Sequence, residues 1–156
     1  MKFLYNILII ILLRMENKEV YCNLNNIVKK LKSTNDPKRK YEYILWLGKK
    51  LPSPNNEILI PENKVKGCVS EVYVKGTIKE GKIHWQGFSD ALITRGLLSF
   101  LISGLNDLSP QDILNLNNNF IEDTGLQKSL TPSRSNGFLN ILIKMKSQAN
   151  DFLNTQ

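Results

Sequence analysis

The chain of 156 residues has the length of one ordinary domain, since domains typically run to about 100–150 residues. Its composition, 42% hydrophobic and 22% charged, is typical of a globular protein and excludes a disordered tail. The formal net charge of +7 admits nucleic acid, an anionic membrane or an acidic protein as partner, although no arginine-rich run or zinc-finger spacing favours nucleic acid.

The first segment, residues 1–14, contains one lysine, a run of apolar residues and then Arg14. The apolar run is shorter than the roughly 20 residues that span a bilayer. Its start resembles a secretory signal, but no small-residue cleavage site follows, and Met15 offers an alternative start. We therefore predict that residues 1–15 are a hydrophobic extension, either a spurious start or a membrane or targeting segment. Residues 16–156 are predicted to form the domain.

Two helices and a loop are predicted next. The first helix covers residues 24–31 and places its apolar side chains on one face. The second begins at Asp36-Pro37, an N-cap carboxylate followed by proline at the first helical position, and ends near Leu51. Prolines and asparagines with little periodicity then predict an extended loop over residues 52–67.

A β-hairpin follows the loop. β-branched and aromatic residues predict a strand over residues 69–79, and Glu80-Gly81-Lys82 predicts the turn. Residues 83–86 alternate between apolar and polar side chains and predict the return strand.

The second half is predicted to be helical. Ser89 or Asp90 is expected to cap an apolar helix in the centre of the core, and residues 109–112 form a capping box. The last helix is predicted over residues 134–153, with a buried stripe of side chains four and three residues apart. The members of this stripe are Phe138, Leu142, Met145, Ala149 and Phe152. Together the elements predict an α+β fold, a small antiparallel sheet packed against several helices.

Two cysteines, Cys22 and Cys68, are too few for a disulfide framework, and a single histidine, His84, excludes a two-histidine metal site. This usage fits a reducing compartment best. We interpret Cys22 as structural or incidental. We interpret His84 as a surface residue rather than a general base.

Cys68 follows Gly67 at the junction of the predicted loop and strand. Glycine permits an unusual backbone angle or the close approach of another chain. Lys64 and Lys66 are expected to lower the pKa of the thiol and so favour the thiolate that attacks sulfur. A small hydrophobic core residue is the competing interpretation, and the local spacing alone leaves both open.

Three blocks of sequence carry a family resemblance. They are Val65-Lys66-Gly67-Cys68-Val69-Ser70-Glu71-Val72, Gly87-Phe88-Ser89-Asp90-Ala91, and Leu130-Thr131-Pro132-Ser133-Arg134-Ser135-Asn136-Gly137. In their order and spacing, and over about residues 41–153, the chain resembles the SufE family of sulfur acceptors in iron–sulfur cluster assembly. The resemblance implies a SufE-like fold, similar to that of the U-type scaffolds.

The resemblance also implies an activity. In this family a pyridoxal-phosphate (PLP) cysteine desulfurase (SufS type) forms a persulfide on its own cysteine, and the acceptor's cysteine takes the outer sulfur and so stimulates the desulfurase. By resemblance, Cys68 carries the persulfide and delivers its sulfur by thiol exchange to a scaffold complex (SufBCD type). The chain itself is expected to bind no metal or cofactor, because PLP belongs to the partner.

Further expectations concern the Cys68 loop, the cellular setting, nucleic acid and the oligomeric state. A bound persulfide must be shielded, so the Cys68 loop is expected to rest partly buried and to move on docking. The chain is expected in the cytoplasm or a plastid stroma. It is expected to act without nucleic acid, as a monomer or a homodimer.

Asp90 and Arg134 are further site candidates. Arg134 would stabilise a thiolate or persulfide anion, and Asp90 would restrain the resting loop. The competing interpretation makes Asp90 a helix N-cap and Arg134 only the start of the last helix.

Other functional classes compete with sulfur transfer. A hydrolase or acyl transferase with Cys68 as nucleophile needs a base, and His84 has no recognisable relation to this cysteine. A cluster scaffold needs several thiols. A basic binding module for protein or nucleic acid, with a structural Cys68, predicts that Cys68→Ser is silent and that binding falls with salt.

Overall fold

The structure is a computed structural model that describes residues 1–155, including the side chains of all of these except residues 16–18. Short 3-10 turns interrupt the connections between the longer elements. In chain order these longer elements are α1 (Lys2–Val20), α2 (Cys22–Lys32), α3 (Pro37–Lys50), β1 (Val72–Lys79), β2 (Lys82–Ser89), α4 (Leu92–Leu105), α5 (Pro110–Asn115), α6 (Asn119–Asp123) and α7 (Pro132–Asn154). The predicted α+β class is confirmed.

The hairpin of β1 and β2 forms an antiparallel sheet whose register runs from Val72 opposite Ser89 to Lys79 opposite Lys82. Glu80 and Gly81 both have positive φ, at 51° and 75°, as a tight hairpin turn of this twist requires. The turn is therefore where the sequence predicts it.

The two strands differ in extent from the prediction. β1 begins at Val72 rather than at residue 69, because the backbone N–H of Val65 donates to the carbonyl of Val72 at 2.8 Å and closes residues 66–71 into a loop. β2 continues to Ser89, beyond the predicted residue 86, because Ser89 pairs with Val72. Cys68 consequently lies on a closed loop and not beside a strand.

Helix α4 is the centre of the core, as predicted. Its side chains from Leu97 to Leu101 are almost fully buried, whereas Leu92 at its first turn is exposed. A Cβ atom on Gly96 would lie 2.1 Å from the carbonyl oxygen of Ile44, so α3 and α4 pack backbone against backbone. Only glycine permits such an approach.

The predicted helix starts are largely confirmed. The Asp36 carboxylate accepts from the N–H of Lys38 at 2.9 Å at the start of α3, and the hydroxyl of Ser109 accepts from the N–H of Asp112 at 3.1 Å at the start of α5. Helix α7 starts two residues before the predicted Arg134, because Thr131 caps it through the N–H of Arg134.

The buried stripe of α7 is also confirmed. Phe138, Leu142, Met145 and Ala149 are buried, and Phe152 is partly buried against the core. The Gln148 side chain of the same helix donates to the carbonyl of Val74 and accepts from the N–H of Gly76, both at 2.8 Å. These bonds fix α7 across the sheet.

The predicted cap of α4 is wrong. The N-cap position is Ala91, which makes no side-chain cap bond. Asp90 instead accepts a hydrogen bond from the backbone N–H of Glu71 at 3.0 Å, and the Ser89 hydroxyl accepts from the N–H of Ala91 at 3.3 Å. The Asp90 carboxylate is thus committed to the loop that carries Cys68.

Helix α1 differs from every other helix in the exposure of its apolar side chains. Between Phe3 and Leu13 each large apolar side chain is exposed, and the helix continues to Val20 through the predicted domain boundary at residues 15 and 16. That boundary stays a prediction. Over residues 1–155, no helix is long and apolar enough to cross a membrane.

Candidate functional site around Cys68

The Cys68 loop is held at both ends and from one side. Gly67 has a φ of 76°, and its carbonyl accepts from the side-chain amide of Asn140 on α7 at 3.2 Å. A Cβ atom at Gly67 would lie 2.8 Å from that amide nitrogen. Asp90 holds the loop on the far side of Cys68 through the N–H of Glu71.

The Cys68 side chain points toward the second turn of α7. Its Sγ atom lies 3.9 Å from the carbonyl oxygen of Gly137, within reach of a weak S–H donation. A Cβ atom on Gly137 would lie 3.7 Å from Sγ, so the glycine leaves the space next to the sulfur open. The thiol is partly buried, which confirms the predicted resting exposure of this loop.

Arg134 ties the loop to two helices. Its Nη1 atom donates to the hydroxyl of Ser70 at 2.5 Å and to the hydroxyl of Thr94 at 2.7 Å. Ser70 is two residues from Cys68, and Thr94 is buried in the first turn of α4. The guanidinium therefore sits beside the Cys68 loop, as the functional interpretation of Arg134 requires.

The electrostatics of Cys68 reflect burial first. Burial raises the pKa of the Cys68 thiol above its ordinary value, and the Arg134 charge acts in the opposite direction. At rest the thiol is accordingly protonated at neutral pH. Arg134 is the cation placed to favour the anion when the thiol ionises.

The expectation that Lys64 and Lys66 lower this pKa is wrong. Lys64 pairs with Glu71 instead, with 2.7 Å between Nζ and Oε1. The hydrogen bond to Glu71 raises the pKa of Lys64, and the same bond lowers the pKa of Glu71. Lys66 is exposed, and among the described residues Arg134 is the cation that lowers the Cys68 pKa.

Asp90 contacts the Cys68 loop at its far end. Its carboxylate holds the N–H of Glu71, three residues after Cys68, and it does not line the cavity at the thiol. This contact excludes the cap interpretation, and the role of Asp90 in restraining the loop stays a prediction.

A very small cavity opens next to the thiol. Its volume is about 10 Å³, close to the space that one water molecule needs. It is lined by Cys68, Val69, Ser70, Thr94, Ser133, Arg134 and Gly137. The space next to Cys68 fits about one added atom and not a small organic substrate.

Several site residues were not singled out from the sequence. Ser70 follows Cys68 by two residues and Gly137 follows Arg134 by three, each inside a block that carries the family resemblance. This closeness in sequence could have identified them. Thr94 and Asn140 lie in helices with no local feature that marks them, and only the packing of α4 and α7 brings them to the loop.

Cys22 and His84 have no contact with this site. Cys22 is exposed, with a weak contact to the Asn26 amide at 3.7 Å. His84 is exposed and pairs with Asp107 at 2.9 Å, so its interpretation as a surface residue is supported. Within the described part of the chain, no group of three or more His, Cys, Asp or Glu side chains is arranged to hold a metal ion.

Comparison with known proteins places the chain in a family. A family model described as "SufE: Fe-S metabolism associated domain" matches residues 25–149. An uncharacterized SufE-like protein of Synechocystis is 49% identical over 135 residues, which cover 86% of this chain and 85% of that protein.

Two further relatives are longer than this chain. The cysteine desulfuration protein SufE of Plasmodium vivax is 45% identical over 117 residues, 72% of this chain and 46% of that protein. SufE-like protein 1, chloroplastic/mitochondrial, of Arabidopsis thaliana is 38% identical over 133 residues, 85% of this chain and 36% of that protein. The chain thus spans less than half the length of these two relatives.

A solved structure agrees in fold. The solution structure of a hypothetical protein from Thermus thermophilus superposes with a TM-score of 0.73 at 22% sequence identity, covering 85% of this chain and 96% of that one. The match over residues 25–149 and the identity to the Synechocystis protein are decisive, and the chain belongs to the SufE family.

Proposed function

We propose that this protein is a sulfur acceptor and activator of a PLP-dependent cysteine desulfurase, and that Cys68 receives the sulfur atom as a persulfide. Membership of the SufE family supports this function, and two Plasmodium relatives carry the name cysteine desulfuration protein. The single observation that carries the proposal is a partly buried thiol with room for about one atom beside the Arg134 guanidinium.

The proposed step is a thiol exchange in which atoms and charges balance. The Cys68 thiolate attacks the outer sulfur of the persulfide on the desulfurase cysteine, a new S–S bond forms on Cys68, and the S–S bond in the donor breaks. The donor cysteine leaves as a thiolate and accepts the proton that the Cys68 thiol gave up. No external oxidant or reductant is consumed.

The pKa of Cys68 determines how much reactive thiolate is present before and after docking. Because burial raises the pKa of the thiol, the resting acceptor holds little thiolate at neutral pH and reacts slowly with bystander oxidants. Docking that loosens the loop would expose the thiol, lower its pKa and let Arg134 stabilise the anion. Movement of the loop on docking is part of this proposal.

The loop is built to move as a unit. Side-chain bonds from three other elements hold the loop: Asn140 bonds Gly67, Arg134 bonds Ser70 and Asp90 bonds Glu71. Val69, in the middle of the loop, is exposed and adds little packing. Such weakly packed segments open more readily than the core. Amide hydrogen exchange of residues 66–71 should become faster when the desulfurase is added, and unchanged exchange would contradict the gating step.

The recipient and the setting complete the proposal. An iron–sulfur scaffold complex of SufBCD type receives the sulfur, and PLP stays with the desulfurase. The exchange needs thiols kept reduced, as in the cytoplasm or a plastid stroma. A relative from Arabidopsis is named chloroplastic/mitochondrial, which is compatible with a plastid setting.

The deciding experiment measures cysteine desulfurase activity, as alanine and sulfide released, with wild-type chain, with Cys68→Ser and with Cys22→Ser as the matched control. We expect stimulation by the wild type and by Cys22→Ser but none by Cys68→Ser. Intact mass after reaction should show about 32 Da added per transferred sulfur, except in Cys68→Ser. Equal stimulation by all three chains would overturn the proposal and favour a basic binding module with a structural Cys68.

A further inference from the structure

Helix α1 presents a continuous apolar surface that no other part of the described chain covers. The large apolar side chains of residues 3–13 are between 37% and 78% exposed. They are Phe3, Leu4, Tyr5, Ile7, Leu8, Ile9, Ile10, Ile11, Leu12 and Leu13. An exposed apolar surface of this extent marks an interaction site rather than ordinary surface composition.

The apolar surface runs around the whole helix. Residues 7–13 are consecutive apolar residues, and at 3.6 residues per turn they cover every direction around the axis. A helix that docks on a protein needs only one apolar stripe and keeps a polar face for water. A helix apolar on all sides suits surroundings that are apolar on all sides, which lipid acyl chains provide.

The length and the flanking charges limit how the helix can sit. At about 1.5 Å per residue, residues 3–13 extend roughly 16 Å, about half of the 30 Å hydrocarbon core of a bilayer. Lys2 and Arg14 stand at the two ends of this run. Both can extend their charged groups to the headgroup region while their stems stay in an apolar layer.

We propose that α1 inserts into one leaflet of an anionic lipid bilayer and holds the domain at the membrane surface. Lys2 and Arg14 lie at the level of the headgroups, and the apolar run lies among the upper parts of the acyl chains. The charge of the chain fits this surface, since the formal net charge is +7.

The neighbouring helix extends the basic surface. The last turn of α2 carries exposed Lys29, Lys30 and Lys32, and the chain reaches the exposed Lys38 and Arg39 at the start of α3 soon after. Residues 29–39 contain one carboxylate, Asp36, which caps α3 and lies 3.7 Å from Arg39. Anionic headgroups attract such a cluster, and the attraction weakens as salt rises.

The attachment point lies away from the sulfur site. Tyr21, between α1 and α2, donates its hydroxyl to the carbonyl of Asp112 at 2.7 Å, which fixes where α1 leaves the domain. Leu24 packs against Gly104 near the end of α4, whereas Thr94 contacts Arg134 at the start of α4. These two positions are about 15 Å apart along the helix, so a domain held through α1 keeps the Cys68 loop free for a partner.

The test is flotation of the full chain with lipid vesicles in a density gradient. One set of vesicles is phosphatidylcholine alone, and the other contains about one third phosphatidylglycerol. The test variant is Leu8→Asp with Ile11→Asp, and the matched control is Ile143→Asp, an exposed isoleucine on α7. Neither Leu8 nor Ile11 is packed in the core, so the variant should fold and stimulate the desulfurase like the wild type.

We expect the wild type and Ile143→Asp to float with the anionic vesicles and the double variant to stay behind, with roughly tenfold less bound. Binding should be weaker to phosphatidylcholine and should fall with salt. Flotation of the double variant like the wild type would overturn the proposal. The proposal would also be overturned if the wild type bound neither set of vesicles and formed a dimer while the double variant stayed monomeric. A second copy of the chain would then cover α1. Sulfur transfer is measured separately in the desulfurase assay, and its outcome does not depend on the flotation result.

Discussion

Nη1 of Arg134 donates to the hydroxyl of Ser70 at 2.5 Å, and this bond joins the first turn of α7 to the loop that carries Cys68. The same nitrogen reaches Thr94 on α4 at 2.7 Å. One guanidinium thus connects the Cys68 loop with helices α4 and α7. It is also the cation that lowers the pKa of the Cys68 thiol against the effect of burial.

Replacing Arg134 should separate these contributions. Arg134→Ala leaves Ser70 and Thr94 bonded to each other at 3.4 Å but removes the charge beside the thiol. We expect the rate of persulfide formation on Cys68 to fall by about ten- to a hundredfold, the equivalent of one charge-assisted hydrogen bond. Single-turnover transfer from the desulfurase, followed by intact mass, measures this rate.

Two further variants serve as controls for that prediction. Arg134→Lys keeps the charge but loses the planar fork, and it should be intermediate in rate. Arg39→Ala removes an arginine whose side chain is 75% exposed and which pairs with Asp36 at 3.7 Å, so it should transfer sulfur at the wild-type rate. A wild-type rate for Arg134→Ala would show that the Cys68 anion does not need the Arg134 charge for transfer.

The raised pKa of Cys68 predicts a pH dependence. In a Cys22→Ser chain, alkylation of Cys68 by iodoacetamide should be slower at pH 7 than that of N-acetylcysteine and should rise at higher pH, because burial disfavours the thiolate. Unfolding in denaturant should remove the difference. A folded chain that reacts as fast as the small thiol at every pH would contradict the assigned direction.

The same shift affects stability with a definite sign. The folded chain holds the Cys68 proton to a higher pH than the unfolded chain, whose thiol has a pKa of about 8.5. The stabilising contribution is therefore complete below that pH and is lost as pH rises through the folded pKa. Cys68→Ser should remove this part of the decline in the free energy of unfolding, measured by urea titration above neutral pH.

Gly67 and Gly81 form a matched pair for testing what shapes the loop. Both have φ near 75°, so alanine at either position costs about 1–2 kcal/mol for the left-handed backbone. Only at Gly67 would the new Cβ also meet a side chain, the Asn140 amide at 2.8 Å, while at Gly81 nothing lies within 4 Å. Gly67→Ala should therefore lower the free energy of unfolding more than Gly81→Ala and speed hydrogen exchange in residues 66–71. Equal effects would mean that Asn140 does not hold the loop.

The elements that sequence patterns predicted correctly are local ones. The turn at Glu80 and Gly81 and the caps at Asp36 and Ser109 depend on residues within three or four positions of each other. Because residues close together in the sequence determine a cap or a turn, the sequence is sufficient to predict these features. The buried stripe of α7 follows from helical spacing for the same reason.

The errors arise where distant segments meet. For Asp90 the sequence left two interpretations open, a cap of its own helix and a restraint on the Cys68 loop, and the cap is wrong: the carboxylate bonds the N–H of Glu71, nineteen positions earlier. Lys64 was expected to act on Cys68, but Glu71 pairs with it. In both cases tertiary packing brings Glu71 next to the side chain, and the side chain bonds to it. Local spacing in the sequence does not reveal such a partner.

Gly137 offers a test in which stability and function should move in opposite directions. It lies inside α7, where alanine is favoured over glycine by up to about 1 kcal/mol, and the new Cβ would sit 3.7 Å from the Cys68 sulfur, an ordinary contact. Gly137→Ala should thus fold and resist urea slightly better than the wild type.

The same methyl group would occupy the cavity of about 10 Å³ beside the thiol, where the proposed outer sulfur has to fit. We expect transfer to Cys68 to slow severalfold even though the resting fold is more stable. Asn150→Ala, at an exposed position of the same helix, is the matched control and should gain stability without slower transfer. If Gly137→Ala accepts sulfur at the wild-type rate, the outer sulfur of the persulfide points away from α7 and does not occupy this cavity.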